Sequence, residues 1–340
     1  MLKDKKFWLR IAVAAILVLV IVYTFYGSWR EILGQIAQTS VWIIVLILLS
    51  SVVYHFFEAL ITWYLARHYR PDFRYRDALY CAFNCSFYRL STMGTGTGVA
   101  AVLYLEKRGV GYSEATGLYL IQYMLHKISI ALYSGIFFLL NFAVMAENYK
   151  SYAPYLILAY GLTVAISFGL ILLAVYPKSH QIILWMVKKV NRNGRLDTQI
   201  VQLEMYAKLL EKSSAQLLKD AKSICVIVLM NLVKLCFWYG IPFFILLQSA
   251  HISLISSFSV TSLAVMTAAV IPTPVGIGST ELVMTALYGA LTDVETAAAV
   301  TLLYRIATFY FPFVLGGVMI PVRRLAARLL RRVRKTGRLR

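Results

Sequence analysis

Apolar segments long enough to cross a membrane recur along almost the whole chain. An α-helix rises 1.5 Å per residue, so about 20 apolar residues span the hydrocarbon core of a bilayer. Runs of about this length occupy residues 8–26, 41–66, 115–142, 153–176, 223–248 and 297–320. Only 14% of the 340 residues are charged, which is too few for the surface of a soluble protein of this size. We therefore predict an all-α polytopic membrane protein with about six full transmembrane helices.

Basic residues flank these runs and indicate their orientation. The formal net charge of the chain is +19. Four basic residues precede residue 11, and nine lie between residues 323 and 340. The loop 67–76 and the amphipathic segment 178–222 are also basic. Cytoplasmic loops carry such an excess, so we expect both termini to be cytoplasmic and residues 28–39 to lie along the outer interface. The basic termini could also bind nucleic acid, which is the more specific interpretation. We prefer the interpretation that they anchor the protein beside anionic lipid.

Two pairs of apolar segments are too short for complete crossings. Residues 78–93 and 98–105 are separated by the sequence MGTGTG, and residues 255–271 and 281–292 by IPTPVGIGSTE. Proline and clustered glycines cannot continue a helix, and non-helical backbone within a bilayer must be buried in protein or face a water-filled cavity. We therefore predict two re-entrant helical hairpins, the first entering from the inside and the second from the outside.

The order span, span, hairpin, span occurs twice with opposite orientation, which predicts an inverted-topology repeat of residues 8–142 and 153–320. Two short motifs support this prediction. LHKIS at 125–129 matches LYRIA at 303–307, and Gly96-Thr-Gly98 matches Gly276-Ile-Gly278. We predict one membrane-embedded domain, residues 1–322, followed by a basic cytoplasmic tail, residues 323–340.

Six charged residues remain at membrane depth, and each costs roughly 2.5–3.5 kcal/mol to insert. They are Glu58, Arg89, Lys127, Lys234, Glu281 and Arg305. Four bases against two acids give a net positive interior, which suits an anionic group such as a lipid phosphate. The other candidate substrate-binding residues lie in the two loops or beside a charge: Pro272, Pro274, Gly276, Gly278, Gly96, Gly98, Tyr304 and His126.

Five of these residues also have a plainer interpretation. Arg305 and Glu281 could form a structural ion pair that fixes the second hairpin. Lys127 is either a head-group contact or the partner of one of the two acids. Arg89 could extend to the interface, and His126 could be a hydrogen-bonded core histidine. The sequence leaves these alternatives open.

The chain shows no pattern typical of catalysis. The glycine-rich MGTGTG has no preceding strand and no following Gly-Lys-Ser/Thr, so it does not predict a nucleotide-binding loop. We also find no Ser/His/Asp or Cys/His arrangement and no metal-ligand spacing. We therefore expect no catalytic residue, no metal and no cofactor.

The chain resembles the lysylphosphatidylglycerol synthase transmembrane-region family. The resemblance depends on PTPVGIGSTE at 272–281, on LYRIATFYFP at 303–312 and on the following Gly316-Gly317. Val275 departs from the family pattern, where glycine is usual. The first hairpin lacks a Gly-Glu-x-x-Arg pattern, and His126-Lys127 replaces the Glu-Arg of many relatives. The substrate is therefore expected to differ from that of family members whose membrane region is fused to an aminoacyl-transferase domain.

The resemblance implies a lipid flippase or scramblase of a bacterial plasma membrane, moving an anionic or aminoacylated phospholipid or a lipid-linked head group. Only the basic tail follows Pro321, so we expect a stand-alone member without the aminoacyl-transferase domain. Two alternatives are a transferase of the phosphatidylglycerol lysyltransferase type and a non-catalytic partner subunit of a lipid synthase. Besides its lipid, the protein is expected to contact a second copy or such a synthase, but no nucleic acid.

Overall fold

The regular secondary structure in the described part of the protein is entirely helical. The computed structural model describes residues 29–175, 201, 204–205, 220–247 and 252–336. The principal helices in these residues are α1 (Trp29–Gln38), α2 (Val41–Ala66), α3 (Tyr75–Ser91), α4 (Thr97–Glu106), α5 (Tyr112–Leu140), α6 (Phe142–Asn148), α7 (Ala153–Val175), α8 (Ala221–Tyr239), α9 (Ile241–Leu246), α10 (Leu254–Val270), α11 (Ser279–Tyr288), α12 (Val294–Arg305) and α13 (Phe311–Thr336). The all-α prediction is confirmed for these ranges.

Five helical stretches in the described ranges are long and apolar enough to cross a membrane. They are Val41–Ala66, Tyr112–Leu140, Lys150–Gly169, Ala221–Leu246 and Val294–Arg323. Each overlaps one of the apolar runs identified in the sequence, and the protein is therefore a multi-pass membrane protein. The predicted first span, residues 8–26, lies outside the described residues, as does most of the segment 178–222.

Two pairs of short helices fold back on themselves. In the first hairpin α3 packs on α4, and in the second hairpin α10 packs on α11. Each turn contains two consecutive residues with positive φ: Met93 and Gly94 at 49° and 87°, and Val275 and Gly276 at 49° and 74°. Glycine adopts this left-handed conformation without steric cost, whereas valine, which is branched at Cβ, does so rarely. The helices of both hairpins lie close to the predicted segments.

The turn of the first hairpin lies earlier than the glycine motif indicated. Gly96 has a φ of −96°, and Gly98 lies inside α4. The hydroxyl of Thr92 accepts a hydrogen bond from the Gly96 N–H at 2.8 Å, so α4 begins directly after this residue. The motif match of Gly96 with Gly276 does not extend to backbone conformation, because Gly94 has the conformation that Gly276 adopts.

Each hairpin is embedded in its own apolar core. The first core joins α3 and α4 to the second half of α2 and the first half of α5, and Leu65, Val102 and Leu118 are buried in it. The second core joins α10 and α11 to α9, α12 and the first half of α2, and it includes Tyr288 and Leu303. Most helices thus pack in one of these two cores, and α2 contributes to both.

The last helix extends beyond the predicted end of the sixth span at residue 320. It continues through Pro321 to Thr336, into residues predicted only as a basic tail. Leucine, alanine and arginine are good helix formers, and they make up most of this extension. A five-residue π-helical segment, Ile306–Tyr310, joins α12 to α13 and follows Arg305 directly. Such segments insert an extra residue per turn and occur frequently at functional sites.

Charged residues link α13 to the first hairpin. Asp77 of α3 accepts a hydrogen bond from Arg323 of α13 at 2.8 Å and forms an ion pair with Arg108 at 3.1 Å. In the neighbouring loop, the hydrogen bond from Arg70 keeps the pKa of the Asp72 carboxyl below its ordinary value. Basic residues that the sequence places in separate loops therefore meet at one end of the helical bundle.

Candidate functional site

The loop between α10 and α11 owes its shape to Glu281. This residue is the third of α11, and its Oε2 accepts a hydrogen bond from the Gly278 N–H at 2.8 Å. The carboxylate therefore caps the start of the helix, where backbone N–H groups lack partners within the helix. The hydroxyl groups of Thr273 and Ser279 meet at 2.7 Å across the loop. Pro274 is buried, whereas Pro272 is exposed.

Glu281 also holds Arg305. The Nε of Arg305 donates to Oε1 of Glu281 at 2.7 Å, so both carboxylate oxygens are in use. The guanidinium lies over the ring of Phe309, 4.1 Å from its centroid. The Arg305 side chain is only 7% exposed, yet its Nη2 has no hydrogen-bond partner among the described residues. A buried guanidinium N–H without a partner is costly, and an anion would satisfy it.

Arg305 lines a cavity of about 270 Å³ between the two hairpins. We call it the cationic cavity because Arg89, Lys127 and Arg305 all line it. The complete lining is Tyr54, Arg89, His126, Lys127, Ile130, Leu235, Trp238, Tyr239, Val265, Ala269, Val275, Gly276, Thr280, Tyr304, Arg305, Thr308 and Phe309. The lining described here contains no Asp or Glu. The arrangement therefore suits an anionic group held between cations and aromatic rings.

Arg89 and Lys127 keep their charges available to the cavity. Arg89 lies in the last turn of α3, where the helix dipole favours a cation. The amine of Lys127 lies 5.5 Å from the centroid of the Tyr123 ring. Neither residue forms an ion pair within the described ranges. Pairing of Lys127 with Glu58 or Glu281 is thus wrong for this structure, because other bases occupy both acids.

Glu58 and Lys234 form a separate ion pair behind the cavity wall. The Lys234 amine donates to Oε2 of Glu58 at 2.5 Å, and Gln122 donates to Oε1 of Glu58 at 2.7 Å. The Lys234 side chain is fully buried, whereas 29% of the Glu58 side chain is exposed. Neither residue lines the cationic cavity. Lys234 is therefore neutralised by its partner and adds little net charge to the cavity.

His126 connects this wall to the cavity. Its Nδ1 lies 3.3 Å from Oδ1 of Asn231, and the Asn231 amide nitrogen donates to the carbonyl oxygen of Ile227 at 3.0 Å. That second bond directs the amide oxygen towards His126, so Nδ1 carries the proton in this arrangement. The hydrogen bond supports the interpretation of His126 as a partnered core histidine that also lines the cavity.

Six of the predicted site residues therefore line one cavity: Arg89, His126, Lys127, Gly276, Tyr304 and Arg305. Gly278 and Glu281 support it through hydrogen bonds. Gly96 and Gly98 do not line it. The Gly96 N–H donates to Thr92, and a Cβ added at Gly98 would lie only 2.8 Å from the Tyr119 ring. Gly96 therefore serves the turn of the first hairpin, and Gly98 allows close packing of α4 on α5.

Apart from Tyr304, sequence reasoning missed the aromatic part of the lining. Tyr54 and Trp238 stack with ring centroids 3.6 Å apart. Tyr54 precedes Glu58 by four residues, and Trp238 follows Lys234 by four. Residues at this spacing share a helix face, so the charged positions could have identified these rings. Among the described residues, no group of three or more His, Cys, Asp or Glu is arranged to hold a metal ion.

The fold and this cavity define an all-helical, multi-pass membrane protein with a cationic site between two helical hairpins. The chain matches the family model of the lysylphosphatidylglycerol synthase TM region over residues 7–316. It therefore belongs to this family, as the loop and Tyr-Arg motifs predicted. No curated protein matches the chain significantly.

Proposed function

We propose that the protein is a flippase or scramblase that moves an anionic or modified phospholipid, or a lipid-linked head group, across a bacterial plasma membrane. The observation that carries this proposal is the cationic cavity, in which Arg305 is buried with an unpartnered Nη2. Buried charge among transmembrane helices is costly, and it marks substrate pathways more often than packing. Lipid tails would remain in the bilayer while the head group passes through the cavity.

The two hairpins supply the moving parts in this proposal. We propose that they are re-entrant and related by an inverted repeat, with six spans and both termini in the cytoplasm. The shared left-handed backbone of Met93-Gly94 and Val275-Gly276 supports this relationship. The two turns also touch, since a Cβ built on Gly94 would lie 3.0 Å from Cγ1 of Val275. Rocking of one half against the other would separate the turns and open the cavity alternately to each face.

Glu281 positions Arg305 in this mechanism. Its two oxygens fix the start of α11 and the Nε of Arg305 at the same time. The second hairpin and the arginine therefore move as one unit. The remaining Nη2 donor is then free to bind a phosphate oxygen.

Reconstitution in liposomes tests the proposal. Vesicles contain phosphatidylglycerol labelled on its acyl chain with a dithionite-sensitive dye, and a parallel set carries an imposed proton gradient. Without protein, dithionite bleaches only the outer leaflet. With the wild-type protein we expect bleaching of both leaflets, and with Arg305→Ala we expect bleaching of the outer leaflet alone. As a control, vesicles are loaded with a soluble, membrane-impermeant dye that dithionite can bleach. If this dye stays fluorescent, the bilayer is intact.

Arg76→Ala is the matched control, because Arg76 is an exposed arginine of the first hairpin that does not line the cavity. This variant is expected to transport like the wild type. Absence of transport in the wild type under both conditions, or equal transport by correctly folded Arg305→Ala, contradicts the proposal. Production of modified lipid by the purified protein would instead favour a transferase.

A further inference from the structure

The charges around the cationic cavity do not balance. Three cations line it, and among the described residues Glu281 is the only acid that forms an ion pair with one of them. Both oxygens of Glu281 are already used, by Arg305 and by the Gly278 N–H. With Arg305 and Glu281 cancelling, Arg89 and Lys127 leave an excess of two positive charges on the described lining.

Of the three cations Arg305 is buried, Lys127 is partly buried and Arg89 is exposed, so the excess charge lies on the more accessible side of the cavity. Charges among transmembrane helices are stable only when they are paired or reach water. A ligand with two negative charges would neutralise Arg89 and Lys127 together, and its oxygens would accept a hydrogen bond from Nη2 of Arg305. A phosphodiester carries one negative charge, whereas a phosphomonoester carries about −1.5 to −2 at pH 7.

The same lining is unsuited to a cationic head group. An ammonium group needs carboxylates or unopposed aromatic faces, and the described lining offers no carboxylate. Of the five aromatic rings in the lining, Phe309 is covered by the guanidinium of Arg305, Tyr54 and Trp238 stack on each other, and Tyr239 packs edge-on against Tyr133. The fifth ring, Tyr304, belongs to the residue that precedes the cationic Arg305. The cavity volume of about 270 Å³ also favours a compact group over a bulky substituent.

We infer that the cationic cavity selects a lipid that ends in a phosphomonoester, in preference to phosphodiester lipids, and rejects aminoacylated head groups with a net positive charge. The inference rests on the proposed lipid-transport function and names its substrate class. Arg89 and Lys127 supply the charge that distinguishes the phosphate forms, and Arg305 supplies the directed hydrogen bond.

Binding to the purified full-length protein in detergent tests this selection without requiring transport. The probes are short-chain phosphatidic acid, short-chain phosphatidylglycerol, a short-chain aminoacylated phosphatidylglycerol and inorganic phosphate. Titrations are followed by tryptophan fluorescence, to which Trp238 in the cavity wall contributes, and by the thermal midpoint. We expect phosphatidic acid to bind about tenfold or more tightly than phosphatidylglycerol, since an additional charge-assisted contact is worth at least that ratio. The aminoacylated lipid should bind most weakly.

Variants assign the preference to named side chains. Lys127→Met and Arg89→Met keep much of each side chain's length but remove its charge, and each should reduce the ratio between the two lipids towards one. Arg76→Met should leave the ratio unchanged. If correctly folded Lys127→Met retains the wild-type ratio, and Arg89→Met does so too, the assignment is overturned.

The comparison of ligands separates the remaining outcomes. Equal binding of both lipids, or tightest binding of the aminoacylated lipid, overturns the inferred selection. Inorganic phosphate binding as tightly as phosphatidic acid overturns the lipid as the source of the phosphate. If the protein binds the three lipids in the expected order but moves no lipid in liposomes, the selection is supported and transport is refuted. The two proposals can therefore fail separately.

Discussion

The ion pair of Glu58 and Lys234 gives a prediction with an asymmetric outcome. Removing the acid with Glu58→Leu leaves the fully buried Lys234 ammonium without its anion and removes an acceptor from Gln122. An uncompensated buried charge destabilises a protein by about 3–5 kcal/mol. Removing the base with Lys234→Met leaves a carboxylate that is 29% exposed and keeps its hydrogen bond from Gln122. We expect this variant to lose about 1–3 kcal/mol.

The double variant Glu58→Leu/Lys234→Met provides the control. Replacing a buried pair by apolar side chains of similar size is often close to neutral, since no charge remains to be desolvated. We expect the double variant to be more stable than Glu58→Leu alone. The free energy of unfolding is measured by equilibrium titration with SDS in detergent micelles, followed by helical circular dichroism.

Two results would refute this reasoning. One is a larger loss of stability in Lys234→Met than in Glu58→Leu, which would mean that burial of the ammonium does not determine the cost. The other is a double variant less stable than Glu58→Leu. That result would show that side-chain packing in this wall outweighs the electrostatic terms.

Three further predictions concern the fold. Gly316→Ala should destabilise the protein by about 1–3 kcal/mol, because its added methyl group would meet the backbone of α3; Gly34→Ala, where nothing lies within 4 Å, is its control in the same SDS titration. Val275→Gly should raise the thermal midpoint by relieving a left-handed backbone, which costs about 1–2 kcal/mol at non-glycine residues; a lower midpoint would contradict the strain. Asp77→Asn should release Arg323 and speed tryptic cleavage of α13, and an unchanged cleavage rate would contradict this link.

Local sequence patterns predicted the helices, because run length and helix-breaking residues act within one segment. The apolar stretches gave the spans, and the prolines and glycines of residues 271–281 gave the second turn. The sequence also allowed the contact of Arg305 with Glu281, whose residues lie 24 positions apart in neighbouring segments. Lys234 was not matched with Glu58, which precedes it by 176 residues. Periodicity states which face of a helix is polar, but it does not state which distant helix covers that face.

The turn of the first hairpin shows a second limit. Glycine spacing suggested Gly96 as the counterpart of Gly276, yet Met93 and Gly94 form the left-handed turn. The Thr92 hydroxyl decides the position, because it binds the Gly96 N–H and lets the next helix start there. A side-chain-to-backbone hydrogen bond of this kind competes with glycine in fixing where a turn lies, and a motif comparison based on glycine alone does not include it.

The variant Glu281→Gln separates a structural ion pair from a transport residue. The Gly278 N–H and the Nε of Arg305 bind different oxygens of Glu281, and glutamine replaces one of these oxygens with an NH2 donor, so it cannot keep both bonds in their present geometry. Releasing Arg305 raises the excess positive charge of the cavity from two to three. We therefore expect correctly folded Glu281→Gln to bind short-chain phosphatidic acid more tightly than the wild type but to transport lipid more slowly, because a tightly held head group leaves slowly.

A purely structural pair predicts a different pattern. In that case Glu281→Gln lowers the thermal midpoint, while transport per folded molecule and affinity for phosphatidic acid stay at wild-type values. Glu281→Asp distinguishes charge from reach, since it keeps the negative charge on a shorter side chain. If Glu281→Asp restores wild-type affinity while Glu281→Gln does not, the charge next to Arg305 sets the affinity. If both variants bind like the wild type, Glu281 acts only in the fold, and the control of Arg305 by this carboxylate is refuted.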